Sequence, residues 1–180
     1  MSEVHVTGLK ELYSFLQVLP PTMERNIMRG ALLAGAKVIR DEAKNNVPVG
    51  EPSTRGAQRY GGYAGALRDS LRAGSRAKGG KVTAYIRAGG KKGRADTFYA
   101  IWAEYGTAAH WINSKSGWLT INGRRVKAPV LHPGARAQPY LRPAADRKMG
   151  DAVVSVGRYV HTRLTKQTLY RADFNVEVEE

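Results

Sequence analysis

The side chains that could carry catalysis or hold a metal are few and scattered in this sequence of 180 residues. The absence of cysteine excludes disulfides, thiolate metal sites and thiol nucleophiles. An active site or metal centre needs a base beside a nucleophile, paired carboxylates or clustered ligands. No histidine stands three or four positions from a carboxylate or another histidine; the four are His5, His110, His132 and His161. We therefore predict no enzyme activity, no cofactor and no metal.

Glu104 is the acid with the most unusual surroundings. It lies in the aromatic and apolar segment 99–105, where we expect it to be partly buried. A buried carboxylate needs a partner, because leaving it unpaired is costly. Arg142 is the candidate, since it sits in the other apolar, proline-rich stretch of the chain. We predict a structural pair between Glu104 and Arg142, with a surface glutamate and a free arginine as the alternative.

The positive charge of the protein is concentrated in the middle of the chain. Between Glu51 and Lys148 there are 19 Lys and Arg against 5 acids, an excess equal to the net charge of +14 of the whole protein. The two ends of the chain carry equal numbers of basic and acidic residues. A basic centre between neutral ends indicates one surface that faces an acidic partner. The partner could be either nucleic acid or an acidic protein.

The composition places the chain among globular proteins. Apolar residues make up 42% and charged residues 24%, which is far from the disordered class. No apolar stretch is long enough to span a membrane, and the N-terminus lacks the layout of a signal peptide. We expect a protein that works in water on the cytoplasmic side, without a membrane partner.

Three helices are predicted from apolar residues at helical spacing. A short helix over 8–16 is followed by Pro20 and Pro21, and a longer one runs from Thr22 to Asn46. The middle of the longer helix is rich in glycine and alanine, which would allow another backbone to approach closely; ordinary packing on a sheet is the other explanation. A last helix runs from about Pro143 to Gln167.

Strands are predicted where apolar and polar residues alternate. Two candidates are 70–77 and 81–89, and an Asn-Gly turn at 122–123 predicts a type I′ hairpin over 118–127. Segment 98–105 has no clear period, and we favour a short helical turn there. The fold class is therefore α+β: a long N-terminal helix and a C-terminal helix packed on a small, mostly antiparallel sheet, with extended loops and a β-hairpin.

We predict a single domain over residues 1–172. A loop rich in glycine is inserted at 50–65, and a hairpin excursion occupies 108–136. The last residues, 173–180, form a short acidic tail that we expect to be an arm.

Five segments, in this order, resemble a known family. They are Gly-Leu-x-Glu-Leu at 8–12, Val-Pro-Val at 47–49, Gly-Ala-Leu-Arg-Asp-Ser-Leu at 65–71, Glu-Tyr-Gly-Thr at 104–107, and Gln-Pro-Tyr-Leu-Arg-Pro-Ala at 138–144. The set resembles the neck, or tail-completion, proteins of long-tailed bacteriophages, a group expected to include minor tail protein Z of phage lambda. The resemblance covers 4–164. It departs at the insertion 50–63 and at the hairpin 118–127, where partner specificity is expected.

The resemblance implies a structural virion protein at the head–tail junction, assembled in the host cytoplasm. It would form a ring of copies, six in number, between head-closure or connector proteins and the tail terminator or tail tube. Genomic DNA would pass through the centre with weak, non-specific contacts at most. A tail terminator or head-closure subunit, and a basic nucleic-acid-binding module, are the alternatives.

Aromatic residues and arginines are the residue types enriched at interface hot spots. We therefore predict interface anchors among the aromatics of the loop-like segments and the arginines of the hairpin, with a place in the local core as the alternative for each. The candidates are Tyr60, Tyr63, Trp111, Trp118, Arg124, Arg125 and Tyr140.

Overall fold

The computed structural model describes residues 4–6, 9–18, 21–49, 63–89, 97–121, 123–166 and 176–178. Tyr60 and most of the predicted inserted loop lie outside these residues. The chain forms two compact units. We call residues 1–97 with 140–180 the helical unit and residues 98–139 the hairpin unit. The prediction of a single domain over 1–172 stays a prediction.

Four helices lie among the described residues of the helical unit. α1 is Leu9–Val18, α2 is Pro21–Asn46, α3 is Ala66–Ser70, and the C-terminal helix, α5, is Leu141–Lys166. The three helices predicted from apolar periodicity are thus confirmed to within two or three residues at their ends. Helix α3 follows a left-handed glycine, Gly65, with φ of 86°.

The two long helices, α2 and α5, pack against each other, and small residues bring them close together. Gly35 is buried on α2, and a Cβ added there would lie 2.8 Å from a methyl of Val156 and 3.0 Å from the carbonyl oxygen of Ala152. The close approach suggested by the small residues is therefore present. One cluster of the core in this unit consists of Leu16, Ile27, Ala31, Val160 and Leu164.

Helix α2 also packs on a pair of antiparallel strands. β2, Arg72–Lys78, pairs with β3, Lys81–Arg87, and burial alternates along β3 as the sequence predicts. A second pair was not predicted: β1, Val4–Val6, pairs with β8, Val176–Val178. Part of the predicted acidic arm is therefore a strand.

The described residues of the hairpin unit form one short helix and two strand pairs. Helix α4 is Ala100–Tyr105, as favoured for that segment. β4, His110–Ile112, pairs with β7, Val130–His132, and β5, Trp118–Ile121, pairs with β6, Arg124–Lys127. The hairpin around residues 122–123 is confirmed, with Gly123 at φ of 80°. Among the described residues every strand pair is two-stranded and antiparallel, and the fold class is α+β as predicted.

Candidate assembly surface

Helix α4 carries its large apolar side chains on the exposed side. Three of them, Ile101, Trp102 and Tyr105, lie on one side of the helix, and Phe98 stands two residues before its start. Each is between 50% and 69% exposed: Phe98, Ile101, Trp102 and Tyr105. Glu104, by contrast, is only 7% exposed, and Ala100 is also buried. The burial of Glu104 expected from the sequence is confirmed, but its helix has the opposite orientation to an ordinary amphipathic helix. We call the four exposed residues the apolar stripe.

Two aromatic rings of the stripe, those of Phe98 and Trp102, are in contact with each other. The ring of Phe98 lies edge-on to Trp102, with centroids 5.4 Å apart, and edge-on to Tyr99 at 6.0 Å. Such edge-to-face pairs fix the rings relative to each other. Partial burial also raises the pKa of the Tyr99 hydroxyl. The rings of Phe98, Tyr99 and Trp102 thus form a preformed aromatic surface, which lowers the entropy that a partner must remove on binding.

The backbone around α4 is held by close packing within the hairpin unit. Gly106 ends the helix at φ of 71°, and its N–H donates to the carbonyl oxygen of Trp102 at 2.8 Å. A Cβ on Gly106 would lie 2.5 Å from the carbonyl oxygen of Ala135, so only glycine fits here. Thr107 and Ala135 exchange two backbone hydrogen bonds, of 2.9 and 3.1 Å, and the N–H of Gln138 donates to the oxygen of Ala103 at 2.8 Å.

Two strand pairs add further exposed aromatics to this unit. On β4 and β7, Trp111 stands directly opposite Leu131, and both are more than half exposed. On β5 and β6, Trp118 is exposed, and the guanidinium of Arg125 lies 5.2 Å from the centroid of its ring. Arg124 is also exposed. The predicted anchors Trp111, Trp118, Arg124 and Arg125 are therefore accessible to a partner, and their role at an interface stays a prediction.

The predicted tyrosines have different positions. Tyr140 is 1% exposed and belongs to the core of the helical unit, so we do not carry it into the interface. Tyr63 is exposed, and its hydroxyl donates to a carboxylate oxygen of Asp69 at 3.0 Å. That hydrogen bond, together with Arg68, holds the pKa of Asp69 below its usual value. Tyr60 lies outside the described residues.

Arg142 is exposed on α5 in the helical unit, and Glu104 is buried on α4 in the hairpin unit. The pair between them stays a prediction. Within the described residues, no three potential ligands are grouped so that they could hold a metal ion. Over the same part of the chain, no helix is long and apolar enough to cross a membrane.

An open groove of about 420 Å³ lies on α2 and α5 in the helical unit. Its lining combines small and hydroxyl side chains with two arginines: Ala34, Ser155, Arg158, Tyr159, Thr162 and Arg163. The guanidinium of Arg163 lies 5.3 Å from the ring centroid of Tyr159, and its Nε donates to the tyrosine hydroxyl at 3.2 Å. This groove favours acidic or aromatic groups, and it holds no catalytic pair.

The apolar stripe and Leu131 were not among the residues predicted from the sequence. The signal was present, because Phe98, Ile101, Trp102 and Tyr105 have the i, i+3, i+4, i+7 spacing of one helical face. An apolar helical face is normally assigned to the core, because most such faces are buried against the rest of the protein. The exposed location of this one is visible only in the folded chain.

Comparison with known families gives one match. The sequence profile of the family described as "Bacteriophage HK97-gp10, putative tail-component" matches residues 10–106, more than half of the chain. The matched region runs from α1 through α4 and so includes the apolar stripe. No curated protein and no solved structure matches the chain.

The chain belongs to this phage tail-component family. The resemblance noted in the sequence is thereby confirmed at the level of the family. The protein has a structural, tail-related role and is a component of the virion. Its partners are other structural proteins of the phage.

Proposed function

We propose that this protein is a neck or tail-completion subunit that joins the phage head to its tail. Copies of the chain form a closed ring, six in number, between the head-closure or connector proteins and the tail terminator or tail tube. The genome passes through the centre of the ring. In this role the protein acts through its surfaces and makes or breaks no bonds. The likeness to minor tail protein Z of phage lambda belongs to the same proposal.

The apolar stripe is the observation that carries the proposal. Exposed aromatic side chains on one short helix are typical of the anchors by which a helix enters a groove of a partner. Large contiguous apolar patches are rare on monomeric proteins and mark interaction sites. In the hairpin unit the stripe is joined by exposed Trp111, Leu131 and Trp118. A unit that leaves this much apolar surface in water is built to be covered on assembly.

A ring also requires two different contact surfaces on each subunit. Contacts between unlike surfaces generate rings when the rotation closes, and each contact must bury at least about 1,000 Å². The chain offers an apolar surface on the hairpin unit and, on the helical unit, an arginine-lined groove. The difference in chemistry between the two surfaces supports unlike rather than self-complementary contacts.

The test uses phage particles produced without this gene. We expect full heads and tails that fail to join, or tails of aberrant form, and normal joined particles when the wild-type chain is supplied. Trp102→Ala combined with Tyr105→Ala should fail to restore joining while the variant folds with an unchanged melting temperature. Tyr13→Ala combined with Met149→Ala is the matched control, since both residues are exposed on the helical unit; it should restore joining.

Normal joined particles in the absence of the gene would overturn the proposal. If both double variants restored joining equally well, the apolar stripe would have no role in joining. A map of the wild-type particle that places the chain in another tier would favour the tail terminator or head-closure alternative.

A basic nucleic-acid-binding module is the second candidate, favoured by the net charge of +14. Submicromolar binding of the purified chain to random duplex DNA at physiological salt would support it over the neck role. A ring that held the genome so tightly would slow its passage, because several simultaneous phosphate contacts bind strongly.

A further inference from the structure

The exposed face of the β2–β3 hairpin carries five basic side chains and no acid. Residues 72–87 contain no aspartate or glutamate. Burial alternates along β3 and the outer part of β2, which places the charged residues together on the exposed face. We call this face the cationic ribbon; its basic members are Arg72, Arg76, Lys78, Lys81 and Arg87.

The register of the hairpin sets like charges directly against each other. Arg72 is paired with Arg87, and Lys78 is paired with Lys81 across the turn. Like charges at directly opposed positions destabilise an antiparallel pair. No acid of the described residues forms an ion pair with the ribbon, so an anionic molecule can bind there.

The ribbon is held as a fixed surface. The opposite face of the hairpin, which includes the half-buried Val82, Ala84 and Ile86, lies on the side that packs on α2. Tyr85 lies over Gly74 on the paired strand, where an added Cβ would come within 2.6 Å of its ring. The guanidinium of Arg87 is 4.6 Å from the centroid of that ring. Tyr85 and Arg87 thus lie flat on the hairpin, and neither side chain protrudes as an anchor would.

The chemistry of the ribbon fits a polyanion better than an acidic protein. The centres of protein interfaces are enriched in aromatic residues and arginine and depleted in lysine. The ribbon has three arginines and two lysines and no apolar anchor, because its single aromatic side chain, Tyr85, lies against the backbone of the paired strand. The apolar stripe, which we propose for protein contacts, has no charged member, whereas the ribbon has five cations.

The spacing of the ribbon matches a long phosphate backbone. Six residue steps separate the Arg72–Arg87 row from the Lys78–Lys81 row, which at about 3.4 Å per step is roughly 20 Å. Duplex DNA carries one charge for about every 1.7 Å of its axis. Several phosphates therefore lie within reach of the five side chains at once.

We propose that the cationic ribbon is the surface by which this protein contacts the phosphate backbone of double-stranded DNA, without reading its sequence. The inference deepens the proposed function by naming the face that meets the genome. It rests on that function only for where in the particle the contact occurs. Five phosphate contacts at most give weak and strongly salt-dependent binding, with a Kd on the order of 10⁻⁵ M at physiological salt.

The test measures binding of the full chain to a fluorescent random duplex of about 20 base pairs over a range of salt concentrations. Arg76→Gln, Lys78→Gln and Lys81→Gln are combined in one variant. Arg25→Gln, Arg29→Gln and Lys37→Gln form the matched control, since these cations are exposed on α2 and the loss of charge is equal. We expect the slope of log K against log salt to fall by about 3 in the ribbon variant and by less than 1 in the control.

A third variant guards against loss of the fold. Arg76→Lys, Lys78→Arg and Lys81→Arg keep every charge, and binding should stay within about twofold of wild type because phosphates accept either cation. Equal losses in the ribbon and control variants would overturn the proposal, as would loss of binding in the charge-conserving variant. Displacement of the DNA by poly-L-glutamate at equal charge concentration would also overturn it, in favour of an acidic protein partner. None of these readouts depends on whether heads and tails join.

Discussion

The helical unit and the hairpin unit place their apolar residues in opposite ways. In the helical unit, long helices meet through small residues and bury a core that includes Leu16, Ile27, Val160 and Leu164. In the hairpin unit, the large apolar residues of α4 and of the strand pairs stay exposed, while a glutamate is buried. Burial of apolar surface stabilises the first unit. The second is held by backbone hydrogen bonds and close glycine contacts, and its apolar surface remains for partners.

The strongest test of this difference compares one leucine from each unit. Leu164 is 1% exposed in the core cluster, whereas Leu131 is 53% exposed on β7. Leu164→Ala should lower the free energy of unfolding by about 3 kcal/mol, because it leaves a cavity. Leu131→Ala should change it by less than about 0.5 kcal/mol. Urea denaturation of both variants checks the pair, and similar losses would show that the hairpin unit has a core of its own.

The contact between the long helices is tested at Gly35. Gly35→Leu forces a side chain against Val156 and the backbone of Ala152, and should cost about 2.5 kcal/mol. Lys37→Leu adds the same side chain at an exposed position of α2 and should cost less than about 0.5 kcal/mol. Thermal melts followed by circular dichroism compare the two. A tolerated leucine at 35 would mean that α2 and α5 are not in close contact.

The hairpin unit is tested through two glycines with the same φ of 71°. Gly106 is crowded by the backbone of Ala135 and Ala137, whereas a Cβ on Gly117 would meet nothing within 4 Å. Gly106→Ala should therefore cost about 2 kcal/mol, because the contact adds to a backbone whose ψ of −174° itself favours glycine, and Gly117→Ala about 1 kcal/mol, which is the cost of the positive φ alone. Chemical denaturation measures both. Equal costs would mean that close backbone packing does not hold this unit together.

The smallest expected effect concerns Asp69 in the helical unit. Its pKa is lowered first by the hydrogen bond from Tyr63 and then by Arg68. A lowered pKa in the folded state stabilises the fold above the unfolded pKa, and the contribution is lost as the pH falls through the folded pKa. Tyr63→Phe should raise the pKa of Asp69 toward its ordinary value in an NMR titration. Tyr13→Phe, at another exposed tyrosine, should leave it unchanged.

Local sequence patterns predicted the parts of the fold that depend on neighbouring residues. Apolar spacing over some 25 residues predicted α2 and α5, alternation predicted β2 and β3, and the turn at 122–123 predicted the β5–β6 hairpin. The pairs β1–β8 and β4–β7 were not predicted. Each has strands of three residues, paired across a long separation in sequence, and so short a strand has no period of its own.

Residue types and short spacings were enough to predict the long helices, the position of the positive charge and the family of the protein. The folded chain was needed to show that the apolar face of α4 is exposed, that Tyr140 is buried, and that five cations share one face of β2–β3. Helical spacing shows that a face exists, but the rest of the folded chain determines whether that face is covered. The same spacing therefore describes a core helix and a docking helix equally well.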